Sequence, residues 1–214
     1  DIQLVLTDID DTIAPHARHE VSDAVRQAIV AVEEKGVKVV PVSGRPYELA
    51  EQTLNVLGIS DLCIADGGAT IVDIQSGKRL WKCWLDADRV RSVLEILLPY
   101  TSELLYEEGL NFVDSQAITL DLVVNNSPAI FAFVDVEKEE TIKAALQNVP
   151  DIYSYFLNGT NPLTGERKRA IQITHAEATK HHGVEAVRGI VHVPVEQTLA
   201  IGDGTNDLPL FKSA

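Results

Sequence analysis

The chain has 214 residues, 45% of them apolar, and a formal charge of −14. That is enough apolar material for one large domain or two small ones, while so acidic a composition excludes the basic stripe of a nucleic-acid binder. No apolar run approaches the ~18 residues that a membrane span needs, and two cysteines without a Cys-x-x-Cys give no support to a disulfide framework or a zinc module. The chain begins Asp1-Ile2-Gln3 and runs straight into an apolar stretch, so no signal peptide is read and a cytoplasmic location is expected.

Ile2, Leu4, Val5 and Leu6 predict a buried first strand that delivers the cluster Asp8-Ile9-Asp10-Asp11-Thr12. Val21, Val25, Ala28, Ile29 and Val32 then recur at helical spacing, with Ser22 as N-cap and Gly36 just past the end. The β-branched run Val37–Val42 reads as a buried parallel strand. Ser43-Gly44-Arg45-Pro46 follows it, with Pro46 placed to open a helix that closes near Gly58. Leu62–Ala65 is a third strand, leading into Asp66-Gly67-Gly68 and a hairpin of Thr70–Ile74 and Arg79–Trp84 turned at Ser76-Gly77. Strand and helix in alternation predict an α/β fold with a doubly wound parallel sheet.

From Asp86 the pattern changes. An amphipathic helix to about Pro99 precedes strands over 118–124 and 129–136, a helix over 137–147, and strands over 153–157 and 170–173. A loop over 158–169, holding Gly159, Pro162 and Gly165, is expected between the last two. Residues 86–175 thus form an inserted α+β segment of about 90 residues, enough for a second small domain. The first pattern resumes with a helix around 176–189 and the strand Thr198–Ile201, which delivers Gly202-Asp203-Gly204-Thr205-Asn206-Asp207.

Two acidic clusters, each at the carboxyl end of a buried strand, meet where open α/β sheets bind ligands. Unpaired carboxylates repel one another in such a crevice, and a divalent cation removes the conflict. Hard oxygen donors point to Mg²⁺, which commonly works beside phosphate. A calcium loop of EF-hand type fails, because Ile13 falls where glycine is required and His19 where the closing glutamate belongs. By the period of two, Asp8 and Asp10 share one side and Ile9 the other. One of the two carboxylates can attack phosphorus while the other handles the leaving-group proton. Ser43 and the amides at Gly44 can donate to phosphate at the start of the following helix, and Lys180 supplies a point charge.

These motifs and their order resemble the haloacid dehalogenase superfamily of phosphatases, in the branch with a type IIB cap that includes sugar-phosphate, sucrose-phosphate and phosphoglycolate phosphatases. The resemblance is carried by Asp-x-Asp-x-Thr at 8–12, Ser-Gly-Arg-Pro at 43–46, Thr-Lys at 179–180, Gly-Asp-x-x-Asn-Asp at 202–207 and the place of the insert. It implies a Rossmann-like catalytic core over 1–85 and 176–214, with a cap over 86–175. The chain stops at Ala214, so the family's last strand and helix are expected to be missing.

The resemblance further implies that Asp8 is the nucleophile that becomes phosphorylated and that Asp10 is the general acid and base. It places Mg²⁺ on Asp8, the Asp10 carbonyl and Asp203, with Asp207 binding through water or orienting the others. Thr12, Ser43, Gly44 and Lys180 would hold phosphate, with Asn206 supporting Lys180. Arg167, Lys168 and Arg169 in the expected cap loop would contact an anionic substrate, and Arg45 reads equally as a substrate contact or as a structural ion pair. The implied partner is a small phosphorylated metabolite, with no nucleic acid and no membrane; the oligomeric state is not readable. A phosphomutase of the same superfamily and a non-enzymatic phospho-acceptor are the rival readings. Asp11 stands where the family usually has glycine and is expected to face solvent; Gly67 stands where asparagine is common.

Overall fold

The computed structural model describes residues 1–15, 20–106, 113–118, 125–160 and 165–214. The chain divides into two compact units, Asp1–Lys82 with Ala178–Ala214, and Cys83–Glu177. The expected boundaries at 85/86 and 175/176 shift by three and two residues.

In the first unit, β1 (Leu4–Thr7) lies between β2 (Lys38–Pro41) and β11 (Thr198–Ile201), parallel to both. A parallel bridge between Val42 and Ile64 brings β3 (Leu62–Ala65) beside β2, and β3 continues antiparallel into β4 (Thr70–Asp73) and β5 (Lys78–Lys82). Alternate strand residues face opposite layers, as the pleat requires. Leu4, Leu6, Val40, Val42, Leu62 and Ile64 pack with Val184 and Val187 of α5 (Lys180–Val191) and Leu210 of α6 (Leu208–Phe211). Val39 packs with Ile29 of α1 (Asp23–Glu33) and Leu57 of α2 (Tyr47–Leu57), while Cys63, Ala65 and Val72 meet Tyr47, Ala50 and Leu54. Helices on both faces of a mainly parallel sheet make this the doubly wound α/β fold.

Local chemistry sets the ends of these helices. The Ser22 hydroxyl accepts from the Val25 amide, and Gly58 closes α2 in the left-handed region. Pro46 is the N-cap of α2 rather than its first helical residue. α5 begins at Lys180, four residues later than the sequence pattern suggests, because the Thr179 side chain caps it by accepting from the His182 amide.

The second unit is a five-stranded antiparallel sheet in the order β7-β6-β8-β10-β9. Its strands are β6 (Thr101–Leu105), β7 (Val113–Asp114), β8 (Ile130–Val134), β9 (Ile152–Thr160) and β10 (Arg167–His175). Val90, Val93, Leu94 and Leu97 of α3 (Ala87–Leu97) and Ile142 and Leu146 of α4 (Glu139–Leu146) pack on Leu104, Ile130, Ala132, Ile171 and Ile173.

Two expectations need correction here. Residues 158–160 and 167–169 are not loop but the paired ends of β9 and β10, with Thr160 opposite Arg167 and Asn158 opposite Arg169. Gly159 sits inside β9 because a Cβ there would lie 2.8 Å from the Phe131 ring. β6 is an element the pattern does not announce. Most of the strand expected over 118–124 lies outside the described residues.

Candidate active site

The site is built where β1, β2 and β11 end and where α5 begins. β1 stops after Thr7; the Asp8 amide still donates to the Ile201 carbonyl at 2.9 Å, which fixes Asp8 against the end of β11. The chain then turns, with the Ile9 carbonyl accepting from the Ile13 and Ala14 amides at 3.1 and 3.0 Å. Ile9 is fully buried and Asp8 nearly so. Asp11 takes φ +59° and is exposed. A left-handed position normally filled by glycine is thus held by aspartate, one of the few L-residues that tolerates it.

Lys180 comes down into this site from the first turn of α5. Its ammonium is buried and pairs with Asp8 Oδ1 and, at 2.5 Å, with Asp207 Oδ1. Two glycines permit the approach. A Cβ on Gly68 would lie 2.2 Å from the Thr179 carbonyl oxygen, and one on Gly183 would lie 2.8 Å from Ile64. Gly68 also holds φ +111°, which L-residues rarely adopt. Gly68→Ala is therefore expected to cost about 2–4 kcal/mol and to lift Lys180 away from Asp8. A thermal unfolding curve matching the parent's would contradict this packing.

Asp207 is fully buried and is committed to positioning. Its Oδ2 accepts from the Asp203 and Gly204 amides, both at 3.1 Å, so it folds the loop after β11 while its Oδ1 holds Lys180. Gly202 is needed for this, since a Cβ there would lie 2.6 Å from the Asp207 carboxyl. The structure thus gives the support of Lys180 to Asp207 rather than to Asn206, which is exposed. Asp203 is exposed, and its Oδ1 accepts from the Thr12 hydroxyl at 3.2 Å. Thr12, expected at phosphate, thus stands beside the acid at the end of β11.

Carboxylate oxygens of Asp8, Asp203 and Asp207 all lie within 4.8 Å of one another. With Asp207 occupied by Lys180 and two amides, Asp8 and Asp203 are the acids left to bind a cation directly. Oxygen-only donors of this kind fit a hard divalent ion. Burial raises the Asp8 carboxyl from 3.8 to about 6. Lys180 pulls the other way but is outweighed, and the charges of Asp207 and Asp10 add to the rise. Burial alone would lower the Lys180 ammonium; Asp8 and Asp207 outweigh it, and its pKa is raised.

The remaining expected residues are distributed as follows. Ser43 is fully buried, and its hydroxyl accepts from the Arg45 amide at 3.0 Å. Gly44, next to it, is half-buried. Arg45, read equally as a substrate contact or as an ion pair, forms a two-pronged pair with Asp10. Arg169 is likewise committed within the second unit: it makes a two-pronged pair with Glu139 at 2.7 and 2.8 Å and lies over the Phe156 ring. Glu139 is lowered by its hydrogen bond with Arg169. Arg167 is exposed at the first position of β10, and Lys168 pairs with Glu166 at 3.1 Å. Thr53, buried on α2 and bonded to Arg45, is the site residue that sequence reasoning missed. Its only signal was a polar residue on the apolar face of a helix.

Among the described residues, no helix is long and apolar enough to cross a membrane. Comparison with known proteins supplies the family. The “Putative phosphatase YxeH” of Bacillus subtilis (strain 168) is 23% identical over 235 residues, covering 99% of this chain and 84% of its own. The solved structure of a haloacid dehalogenase-like hydrolase from B. subtilis superposes with a TM-score of 0.78 at 19% identity, covering 100% of this chain and 87% of that one. The HAD subclass IIB sugar phosphatase BT4131 superposes with a TM-score of 0.72 at 20% identity, covering 99% and 85%. Residues 5–214 match the model of the haloacid dehalogenase-like hydrolases, and the chain belongs to that family.

Proposed function

We propose that this protein is a divalent-cation-dependent phosphomonoester phosphatase that works through a phosphorylated Asp8. The observation that carries the reading is the buried Lys180 ammonium held between Asp8 and Asp207, beside the exposed carboxylate of Asp203. That arrangement leaves a carboxylate with one oxygen tied and the other available for attack, next to a fixed positive charge.

In the first step the second oxygen of Asp8 bonds to phosphorus as the bond to the leaving oxygen breaks, and Asp10 gives that oxygen its proton. In the second step water attacks the aspartyl-phosphate, Asp10 takes the water's proton, and cleavage of the Asp8–phosphate bond releases inorganic phosphate. Lys180 neutralises charge on the transferring group in both steps. Asp8 and Asp203 are the side chains that would hold the cation, with the Asp10 carbonyl. Mg²⁺, when bound there, would offset the repulsion between substrate phosphate and these acids. The unit Cys83–Glu177 forms the cap in this reading, and the protein works in the cytoplasm on a small phosphorylated metabolite. Its likeness in fold to BT4131, named a sugar phosphatase, favours a sugar phosphate.

A panel of phosphorylated metabolites assayed with Mg²⁺ for released phosphate tests this. Chelation is expected to abolish release and added Mg²⁺ to restore it. Interconversion of phosphate esters without net release would mark a phosphomutase instead, and activity indifferent to chelator would exclude the metal-assisted reading.

A further inference from the structure

The acid–base carboxylate, Asp10, lies just before the turn that follows β1, its backbone bridged to Ala14, and its side chain is a quarter exposed. What fixes it is a buried guanidinium. Arg45 Nε donates to Asp10 Oδ2 at 2.8 Å and Nη2 to Oδ1 at 2.6 Å, a parallel fork-to-fork pair. On its far edge Nη1 donates to the Thr53 hydroxyl at 3.0 Å. Thr53 is fully buried on α2, between Ala50 and Leu54, which pack into the core. The backbone of Arg45 is fixed as well: its amide donates to Ser43 Oγ at 3.0 Å and its carbonyl accepts from the Asp66 amide at 2.9 Å.

We propose that Arg45 and Thr53 are positioning residues for Asp10: the Thr53 hydroxyl sets the plane of the guanidinium, and the guanidinium sets the plane of the carboxylate. The inference rests on the acid–base role of Asp10 given above. A carboxylate has about four lone-pair sites. The clamp takes up one on each oxygen, and two parallel bonds to one rigid fork fix the plane of the group. Lysine cannot reproduce this, because a point charge fixes distance but not plane. A hydroxyl at position 53 matters for a second reason: without it a buried N–H is left with one partner fewer.

The test uses the full chain with Mg²⁺ and two substrates, p-nitrophenyl phosphate, whose leaving group departs without a proton, and an alkyl phosphate, whose leaving group needs one. In single-turnover measurements of the first step, where Asp10 acts only as the acid, T53V is expected to slow release of the alcohol from the alkyl ester about tenfold, with the half-saturating substrate concentration within about threefold, and to change release of p-nitrophenol far less. T53S should restore both. Equal losses on the two substrates, or none, would overturn the proposal in favour of a purely structural ion pair. If the parent protein hydrolyses neither these esters nor any member of the metabolite panel, the phosphatase reading itself fails. The clamp is then judged by a double-mutant cycle of T53V with D10N in thermal unfolding. Non-additive shifts in melting temperature support the relay from Thr53 to Asp10, and additive ones overturn it.

Discussion

Asp8→Asn is expected to reduce phosphate release by at least ~10³-fold while leaving the protein folded, because it removes the atom that attacks phosphorus and changes little volume. The same substitution is expected to make the metal-free protein more stable at neutral pH. The native carboxyl sits near 6 against 3.8 for the unconstrained group, chiefly through burial. A raised carboxyl favours the folded state most below pH 3.8 and loses that advantage as pH rises through about 6, when ionisation must occur in a buried site. By linkage, a rise of that size corresponds to roughly 3 kcal/mol. Melting curves of parent and Asp8→Asn without cation should therefore nearly coincide at pH 4 and separate at pH 8, with the variant higher. Added Mg²⁺ should close the gap by stabilising the parent alone. An activity loss without this divergence would mean that Asp8 is less buried than the structure places it, and full activity in the variant would remove it as the nucleophile.

Lys180→Met is expected to have the second-largest effect, and to act on stability and turnover together. The ammonium is buried between Asp8 and Asp207. Removing it leaves two buried acids facing each other, and breaking such a pair typically costs about 3–5 kcal/mol. The apolar stem of methionine fills the space, so the loss reports charge rather than a cavity. Asp207 would still accept from the Asp203 and Gly204 amides, so the loop after β11 should keep its shape. Turnover should fall ~10²–10³-fold, the usual scale for a removed electrostatic stabiliser. Chemical denaturation read by circular dichroism checks the first effect and released phosphate the second. Unchanged stability would show that Lys180 does not bridge the two acids.

The pair of outcomes separates two kinds of acid within one crevice. Asp8 is held at a cost in stability, whereas Asp207 is fully satisfied by three donors. Function of the proposed kind explains the asymmetry, since a nucleophile must keep one oxygen uncommitted while its neighbours are tied down.

Much of this was legible in the residues because the site is made at strand ends and helix starts. β1, β2, β3 and β11 are short β-branched or leucine-rich runs bounded by turn residues, and each delivers its polar group where the apolar run stops. Lys180 was legible only as a motif; that it would be buried depends on Gly68 and Gly183, whose role is to let one backbone approach another. Partners far apart in sequence were not legible. Arg45 reads equally well as a substrate contact until Asp10, 35 positions away, is seen to take its fork.

The same holds in the second unit. β6 escaped the period-two reading because its ladder with β8 shifts register between Thr101 and Leu104, leaving the consecutive Leu104 and Leu105 both buried. The β9–β10 hairpin was read too short because Gly159 looks like a breaker, when it is the residue that fits under Phe131. Arg169 looked like a ligand for an anion, and Glu139 on α4 supplies that anion from within the fold.

The proposed chemistry stands or falls on Asp8 carrying the phosphoryl group between substrate and water. Mixing the protein and Mg²⁺ with a phosphoryl-labelled substrate, quenching in acid within one turnover and mapping the labelled peptide tests this step. The expected result is label on the peptide holding Asp8, stable in acid, released by hydroxylamine and absent from Asp8→Asn. Phosphate release with no labelled protein, or label on any other residue, would show that Asp8 is not the carrier.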